Sequence, residues 1–199
     1  ERITIGFLAT PLAERLMLLT WPQTTSLRVL LTGADKLHRR PGARVPFVVV
    51  NNYGPTECTV VATSGTVFPD EIASQAPTIG RPIDNISAHI LDEERKEVAV
   101  EVPGELYLSG AGIARGYRNH PELTAQSFVP NPFSADASDR LYRTGDLARR
   151  LPSGEIEFLG RSDEQVKILG YRIEPSEIVK VLDRYAGVET SAVVARERD

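Results

Sequence analysis

The run Asn51-Asn52-Tyr53-Gly54-Pro55-Thr56-Glu57 places an aromatic ring, a hydroxyl and a carboxylate around one turn. Tyr53 offers an aromatic face for a base, Thr56 a hydroxyl for a phosphate oxygen, and Glu57 a hard oxygen ligand for Mg2+. The run directly follows Phe47 to Val50, which is apolar at every position and reads as a strand covered on both sides. In open α/β sheets ligands bind beyond the carboxyl ends of strands, where loops and free backbone donors converge. Gly54-Pro55 forces a tight turn at that place. A capped turn in which Thr56 and Glu57 merely start the next element accounts for the same residues, so this segment alone leaves both readings open.

The elements that must present this turn read as α/β in the first third of the chain. Ile3 to Ile5 is a short apolar strand, and Thr10-Pro11 fits a helix cap and first helical position. Leu12, Leu16 and Leu19 follow at helical spacing and give one apolar face. Leu27 to Leu31 is a second strand, ending at Thr32-Gly33. Strands separated by helical or irregular crossovers predict a parallel sheet. The middle changes character. Ser87 to Leu91, Glu105 to Ser109, Leu141-Tyr142 and Glu155 to Phe158 are short strands, punctuated by Asp92-Glu93-Glu94, Pro103-Gly104 and Pro152-Ser153-Gly154. That spacing predicts an antiparallel sheet or small barrel. In the last part Gln165 to Leu169 reads as a strand. Pro175 opens a helix with Ile178, Val181, Leu182 and Tyr185 on one face, Gly187 closes it, and Val188 to Ala195 reads as another strand. The polar stretch Gly160 to Glu164 is the expected boundary between the two kinds of pattern.

Composition narrows the classes. The 199 residues are 25% charged and 41% hydrophobic, enough to bury one sizeable core or two small ones. A net charge of −4 and a pI near 5.5 argue against a nucleic-acid or anionic-membrane surface, which needs a basic patch. No apolar run is long enough to span a bilayer, and no signal segment opens the chain. Cys58 is the only cysteine, which excludes an intrachain disulfide and makes a reducing cytoplasm the default. Adjoining the turn without a neighbouring base in sequence, it reads as a packing residue rather than a nucleophile. His38, His89 and His120 are scattered without metal-ligand spacing. Glu1 opens the chain and Met17 is the lone methionine, so the sequence reads as an excerpt of something longer.

Further signatures follow the first in order. NNYGPTE is succeeded by GELYLSGAGIARGYRNHPELT (Gly104 to Thr124), YRTGDL (Tyr142 to Leu147) and GRSDEQVKILGYRIEPSEI (Gly160 to Ile178). Together they resemble the signatures of adenylation domains of nonribosomal peptide synthetases, members of the adenylate-forming enzyme superfamily. The likeness extends upstream through Ile3 to Thr10 and the LLTGADKL segment, so it covers nearly the whole chain. It implies the C-terminal part of the large adenylate-forming core, a parallel sheet plus a small antiparallel barrel, over residues 1–162. Residues 163–199 would then be the hinge and the start of the small, mobile α+β C-terminal domain.

The same resemblance implies an activity. Family members join an amino-acid carboxylate to the α-phosphate of ATP, release pyrophosphate, and pass the acyl group to the phosphopantetheine thiol of a carrier protein. Bringing two anions together needs a metal to offset phosphate charge and positioning for in-line attack. By similarity Glu57 binds the Mg2+, Thr56 hydrogen-bonds the phosphate, and Tyr53 packs on the adenine, bordered by Asn51 and the Gly33-Ala34 backbone. Asp146 resembles the aspartate that accepts from the ribose hydroxyls, for which a carboxylate is suited because its two oxygens can take both. Thr144-Gly145-Asp146 reads as readily as a hairpin turn. Arg161 resembles an arginine near ribose and phosphate. Phe158 either packs on the nucleotide or belongs to the core. Asp163 matches the hinge of the small domain, in a suitably polar stretch. Lys167, a catalytic position, and Gly170, at the pantetheine channel, match residues that the thioester-forming state brings to the site. Leu169 stands where the family usually has arginine. Phe7, Leu30, Thr32, Asn52, Val60 and Val61 would line the amino-acid pocket, an uncharged set that suits a neutral, hydrophobic side chain.

The implied partners are therefore an amino acid, a peptidyl carrier protein domain and other synthetase domains, with ATP and Mg2+ as cofactors. The family's phosphate-binding loop would precede residue 1 and its carboxylate-contacting lysine would follow Asp199, so this piece alone is expected to be inactive. An acyl-CoA synthetase-like ligase of the same superfamily is a rival reading. A non-catalytic module that docks carrier proteins is another, against which the intact Glu57, Asp146 and Arg161 speak.

Overall fold

A computed structural model of the chain describes residues 2–22, 24–69, 76–168 and 170–196. β-Branched and leucine-rich runs form three adjacent parallel strands, β1 (Ile5–Ala9), β2 (Val29–Gly33) and β3 (Val48–Tyr53). The sheet continues with β4 (Thr63–Val67) and the two-residue β5 (Arg81–Pro82), both antiparallel, giving the order β1-β2-β3-β4-β5. The expected parallel sheet is thus a mixed one. β4 escaped the sequence reading because Thr63-Ser64-Gly65-Thr66 carries no apolar alternation.

Helix α1 (Thr10–Met17) packs on this sheet through only one of the three expected leucines, the half-buried Leu16. Leu12 and Leu19 are 55% and 61% exposed, whereas Ala13 and Met17 are buried with Leu30, Phe47, Val49 and Val67. Thr10 fixes this phase. Its hydroxyl does not cap the helix, whose cap is Ala9, but donates toward the carbonyls of Gly33 (2.9 Å) and Asp35 (3.0 Å). β3 is also not covered on both sides: Val48 is 47% exposed, and burial alternates along the strand as its side chains do.

The second sheet has the order β10-β9-β7-β6, all antiparallel, from β6 (Ile86–Leu91), β7 (Gly104–Gly110), β9 (Arg140–Arg150) and β10 (Ile156–Arg161). Short β8 (Phe128–Pro130) pairs with β9, and α2 (Pro121–Ser127) leads into it. The antiparallel expectation holds, with strands longer than their apolar cores. Thr144-Gly145-Asp146 is not a hairpin turn. It lies inside β9, with Gly145 at φ +72, where the register against β7 shifts between Glu105 and Tyr107.

The two sheets share a core. Tyr53, Cys58, Ala62 and Ile79 from the first side pack with Ala88, Leu106, Leu108, Ala148 and Ile156 from the second. Backbone hydrogen bonds Ile79 N to Ile156 O (2.9 Å) and Ile156 N to Gly80 O (2.8 Å) tie the junction. The turn after β3 is therefore clamped between them.

After Arg161 a polar connection leads to the hairpin β11 (Val166–Ile168) and β12 (Tyr171–Ile173), then to α3 (Pro175–Leu182). Leu169 lies outside the described residues. Helix α3 ends at Leu182, short of the expected Gly187, so Tyr185 lies beyond it, and Ile178, Val181 and Leu182, read as its apolar face, are exposed. Val188 to Ala195 forms no strand: a β-branched run needs a neighbour to pair with, and none stands beside it among the described residues. No helix is long and apolar enough to cross a membrane among the described residues.

Candidate active site

The carboxyl ends of β2 and β3 open on a cleft of about 270 Å³ between the first sheet and β10. Gly33 is required at its edge, because a Cβ there would lie 2.6 Å from the Asn52 carbonyl oxygen. Ala34, Asn51, Asn52, Tyr53, Phe158, Arg161 and Lys167 line the cleft, together with Gln165, which the sequence reading did not single out. The Tyr53 and Phe158 rings stand 6.4 Å apart, and Lys167 Nζ lies 5.9 Å over the Tyr53 ring. The segment read as a nucleotide site thus converges from four separated parts of the chain.

Asp146, read as the ribose partner, does not itself line the cleft; it lies behind the wall that Tyr53 and Arg161 form. The bulge at Gly145 turns its side chain inward, where it is 3% exposed. Its Oδ2 accepts from Tyr53 Oη at 2.5 Å and its Oδ1 from Arg161 Nη1 at 2.7 Å. Burial raises the Asp146 carboxyl above its ordinary pKa, and the Tyr53 and Arg161 contacts offset part of that. Burial, then the Asp146 charge, pushes the Tyr53 phenol far up, so it remains a donor. Arg161 also reaches forward: Nε and Nη2 each donate to Asp163 at 2.6 Å. Burial would raise Asp163, but this fork outweighs it and holds the carboxyl low. One guanidinium therefore joins the residue read as ribose partner to the residue read as hinge.

Thr56 and Glu57 do not line this cleft. They sit on a short 3₁₀ turn, Thr56–Cys58, and border a neighbouring larger cavity of about 970 Å³ that Arg161 also borders. The turn is tight: a Cβ on Gly54 would lie 2.6 Å from both Ala62 N and Val60 O, and Ala62 N bonds back to Tyr53 O at 2.7 Å. Thr59 and Val60 follow with φ of 50° and 73°, a left-handed pair costly for β-branched residues. Glu57 Oε1 accepts from Tyr117 Oη at 2.6 Å, and Arg172 Nη1 approaches Oε1 at 3.0 Å and Oε2 at 2.8 Å. Burial works to raise the Glu57 carboxyl, and the Tyr117 and Arg172 contacts win, so it is held below its ordinary value. Tyr117 and Arg172 were both missed in sequence. The only available signal was that each falls inside a signature segment, ARGYRN and GYRIE.

The six residues read as an amino-acid pocket are not gathered into one lining. Asn52 lines the cleft and accepts from Ser64 Oγ at 2.8 Å. Leu30 instead packs in the core against α1, because β2 alternation turns Leu30 and Thr32 to the buried face. Thr32 is buried with its hydroxyl unpartnered. Phe7 is exposed on the edge strand β1, Val60 is 66% exposed on the left-handed turn, and Val61 is half-buried. Gly170 takes φ +85 and faces Ala34 and Ala9, so the hairpin turn sits over the ends of β1 and β2. Cys58 is fully buried with its thiol pushed up to about 11 by burial, as a packing residue would be.

Comparisons place this geometry. The AMP-binding enzyme family matches residues 1–118. A linear gramicidin synthase of Brevibacillus parabrevis is 56% identical over 195 residues, which are 98% of this chain and 4% of that protein. Bacitracin synthase 1 of Bacillus licheniformis is 51% identical over 197 residues, 99% of this chain and 4% of its own length. The chain thus spans a small part of the relatives it matches. Holo-PA1221, an NRPS protein containing adenylation and PCP domains bound to a vinylsulfonamide inhibitor, superimposes with TM-score 0.85 at 36% identity, over 98% of this chain and 35% of that one. NpsA-ThdA from Klebsiella oxytoca, an artificially fused adenylation-PCP di-domain, shares the fold at TM-score 0.84 and 24% identity, over 100% of this chain and 37% of that one. The chain belongs to the AMP-binding enzyme family, where it corresponds to the C-terminal part of an adenylation domain of the nonribosomal peptide synthetase kind.

Proposed function

We propose that this chain is the part of an enzyme that activates an amino acid with ATP as aminoacyl-AMP and passes it to the phosphopantetheine thiol of a peptidyl carrier protein. One observation carries the reading: Tyr53, Phe158 and Arg161 line an aromatic cleft at the strand ends, and a buried carboxylate behind its wall, Asp146, holds Tyr53 and Arg161 in place. Tyr53 and Phe158 suit a purine, bordered by Asn51 and Ala34, with Gly33 preceding Ala34 at the strand end. Asp146 has about four lone-pair sites, of which these two hydrogen bonds use a part; to accept from ribose hydroxyls it would have to be uncovered by a shift of Arg161. Arg161 bridges toward the second cavity, where phosphates would find a further cationic side chain in Lys180.

The residues present fit a magnesium ion held largely by its substrate. Glu57 is a carboxylate kept ionised by its neighbours, with the Thr56 hydroxyl beside it. No group of three or more metal-ligating side chains exists among the described residues. Mg2+ is usually bound in this way, by one or two carboxylates plus phosphates. When bound, it supplies charge neutralisation on the triphosphate. Thr56 then orients phosphate oxygens by hydrogen bonding.

Lys167 over Tyr53, with Gly170 against the ends of β1 and β2, supports assigning this arrangement to the thioester-forming state, with the connection around Asp163 as hinge. On that reading residues 163–199 begin the small mobile domain. A neutral amino acid remains the expected substrate on the uncharged composition of Phe7, Leu30, Thr32, Asn52, Val60 and Val61 in sequence, of which Asn52 alone lines the cleft. The test is ATP–pyrophosphate exchange by the full-length protein against a panel of amino, aryl and fatty acids. Exchange with a neutral amino acid is expected. Exchange only with aryl or fatty acids would replace the reading by an acyl-CoA synthetase-like ligase, and none at all by a carrier-docking module.

A further inference from the structure

Glu57 has two claimants. Arg172 holds both of its oxygens, at 3.0 and 2.8 Å, across 115 residues of sequence. The pair is largely enclosed, with 9% of the Glu57 side chain exposed and 36% of the Arg172 side chain. It is also the only ion pair that joins residues 166–196 to residues 2–161 among the described residues. A magnesium ion bonds its oxygen ligands at about 2.0–2.1 Å in near-octahedral array. A guanidinium chelating the same two oxygens occupies the approach and adds like-charge repulsion. Tyr117 carries no charge, so its hydrogen bond to Oε1 is compatible with either cation.

We propose that Arg172 is a positioning residue that takes the place of the metal at Glu57, docking the β11–β12 hairpin on the core when the ion is gone and being released when it binds. This rests on the assignment of Glu57 as the metal's carboxylate. The carboxylate that serves the metal in one step then serves as the anchor of the hairpin in the next. No added sensor is needed, because one anion reports the loss of one cation and accepts another.

The test uses the full-length protein with α,β-methylene-ATP present throughout, with either EDTA or Mg2+ added. Hydrogen exchange of residues 166–173 is read by mass spectrometry, and the half-saturating Mg2+ concentration for nucleotide binding is measured alongside. Mg2+ is expected to speed exchange in 166–173 of the unaltered protein. In Arg172→Gln exchange should be fast already with EDTA, and half-saturating Mg2+ should fall about tenfold, as losing a competitor worth about 1.4 kcal/mol requires. A merely structural arginine would alter exchange without tightening the metal. The proposal is overturned if Mg2+ leaves exchange unchanged in the unaltered protein, or if Arg172→Gln binds Mg2+ no more tightly. Glu57→Gln separates the two levels. If it weakens Mg2+ while Arg172→Gln changes nothing, the competition alone falls; if it leaves Mg2+ binding intact, the metal assignment falls as well.

Discussion

At the junction of the sheets, Tyr53, Cys58, Leu106, Ala148 and Ile156 are buried together, and the Tyr53 hydroxyl and the Leu106 carbonyl among them are paired. Beyond Ser162 the chain is built differently. α3 turns Ile178, Val181 and Leu182 outward, and the hairpin meets the rest through a guanidinium, a glycine and a lysine over a ring. Apolar packing has no direction and changes little with pH, whereas an ion pair has geometry and competitors. The contrast teaches that the cleft wall is fixed by burial, while the segment that visits it is held by contacts that can be exchanged.

The contrast can be broken at several points. Asp146→Ala has the largest expected effect, because it leaves Tyr53 and Arg161 facing an emptied buried site. Breaking such a buried pair costs about 3–5 kcal/mol, to be read by urea denaturation, and adenine-nucleotide binding should vanish with it. Gly33→Ala comes next. Its new Cβ would meet backbone at 2.6 Å, which cannot swing away, and a loss of about 1–3 kcal/mol is expected in the same assay. Acidification should act on the exchangeable region first. Glu57 and Asp163 have folded carboxyl pKa values below their ordinary range. Their pairs therefore add stability above the ordinary pKa of about 4, and lose it as pH falls through the lower folded values. Hydrogen exchange of 166–173 should rise over that acid range while the sheet junction stays protected. Val181→Ser on the exposed face of α3 should change stability by no more than about 0.5 kcal/mol, and a larger loss would mean that this face is packed in solution.

Much of the architecture was legible because it is written locally. Alternation and the Pro152-Ser153-Gly154 and Asp92-Glu93-Glu94 turns gave the antiparallel strands, and Gly54-Pro55 gave the tight turn after β3. Contacts that depend on where a side chain points in space were not legible. Leu12 and Leu16 of α1 read as one face, yet with Thr10 anchored to Gly33 and Asp35 the helix buries Ala13 and Met17, keeps Leu16 half-buried and leaves Leu12 exposed. Leu30 has the composition of a pocket residue, and strand alternation puts it in the core. Val188 to Ala195 has the composition of a strand and, among the described residues, no partner beside it. Asn51, Tyr53, Phe158, Arg161 and Lys167 do share one cleft, as the resemblance implied, whereas Asp146, read with them, lies behind its wall. That Thr56 and Glu57 face a second cavity, with Tyr117 and Arg172 upon the carboxylate, follows from the strained turn at Thr59-Val60 and from a residue more than a hundred positions away.

Glu57 stands where the two regions meet, and the most direct test is to remove its charge while keeping its shape. In the full-length protein, Glu57→Gln should slow amino-acid-dependent ATP–pyrophosphate exchange by about a hundredfold or more and shift its dependence toward higher Mg2+, as expected when a group aimed at developing charge is lost. A variant that exchanges at the unaltered rate with an unaltered Mg2+ dependence would contradict the account.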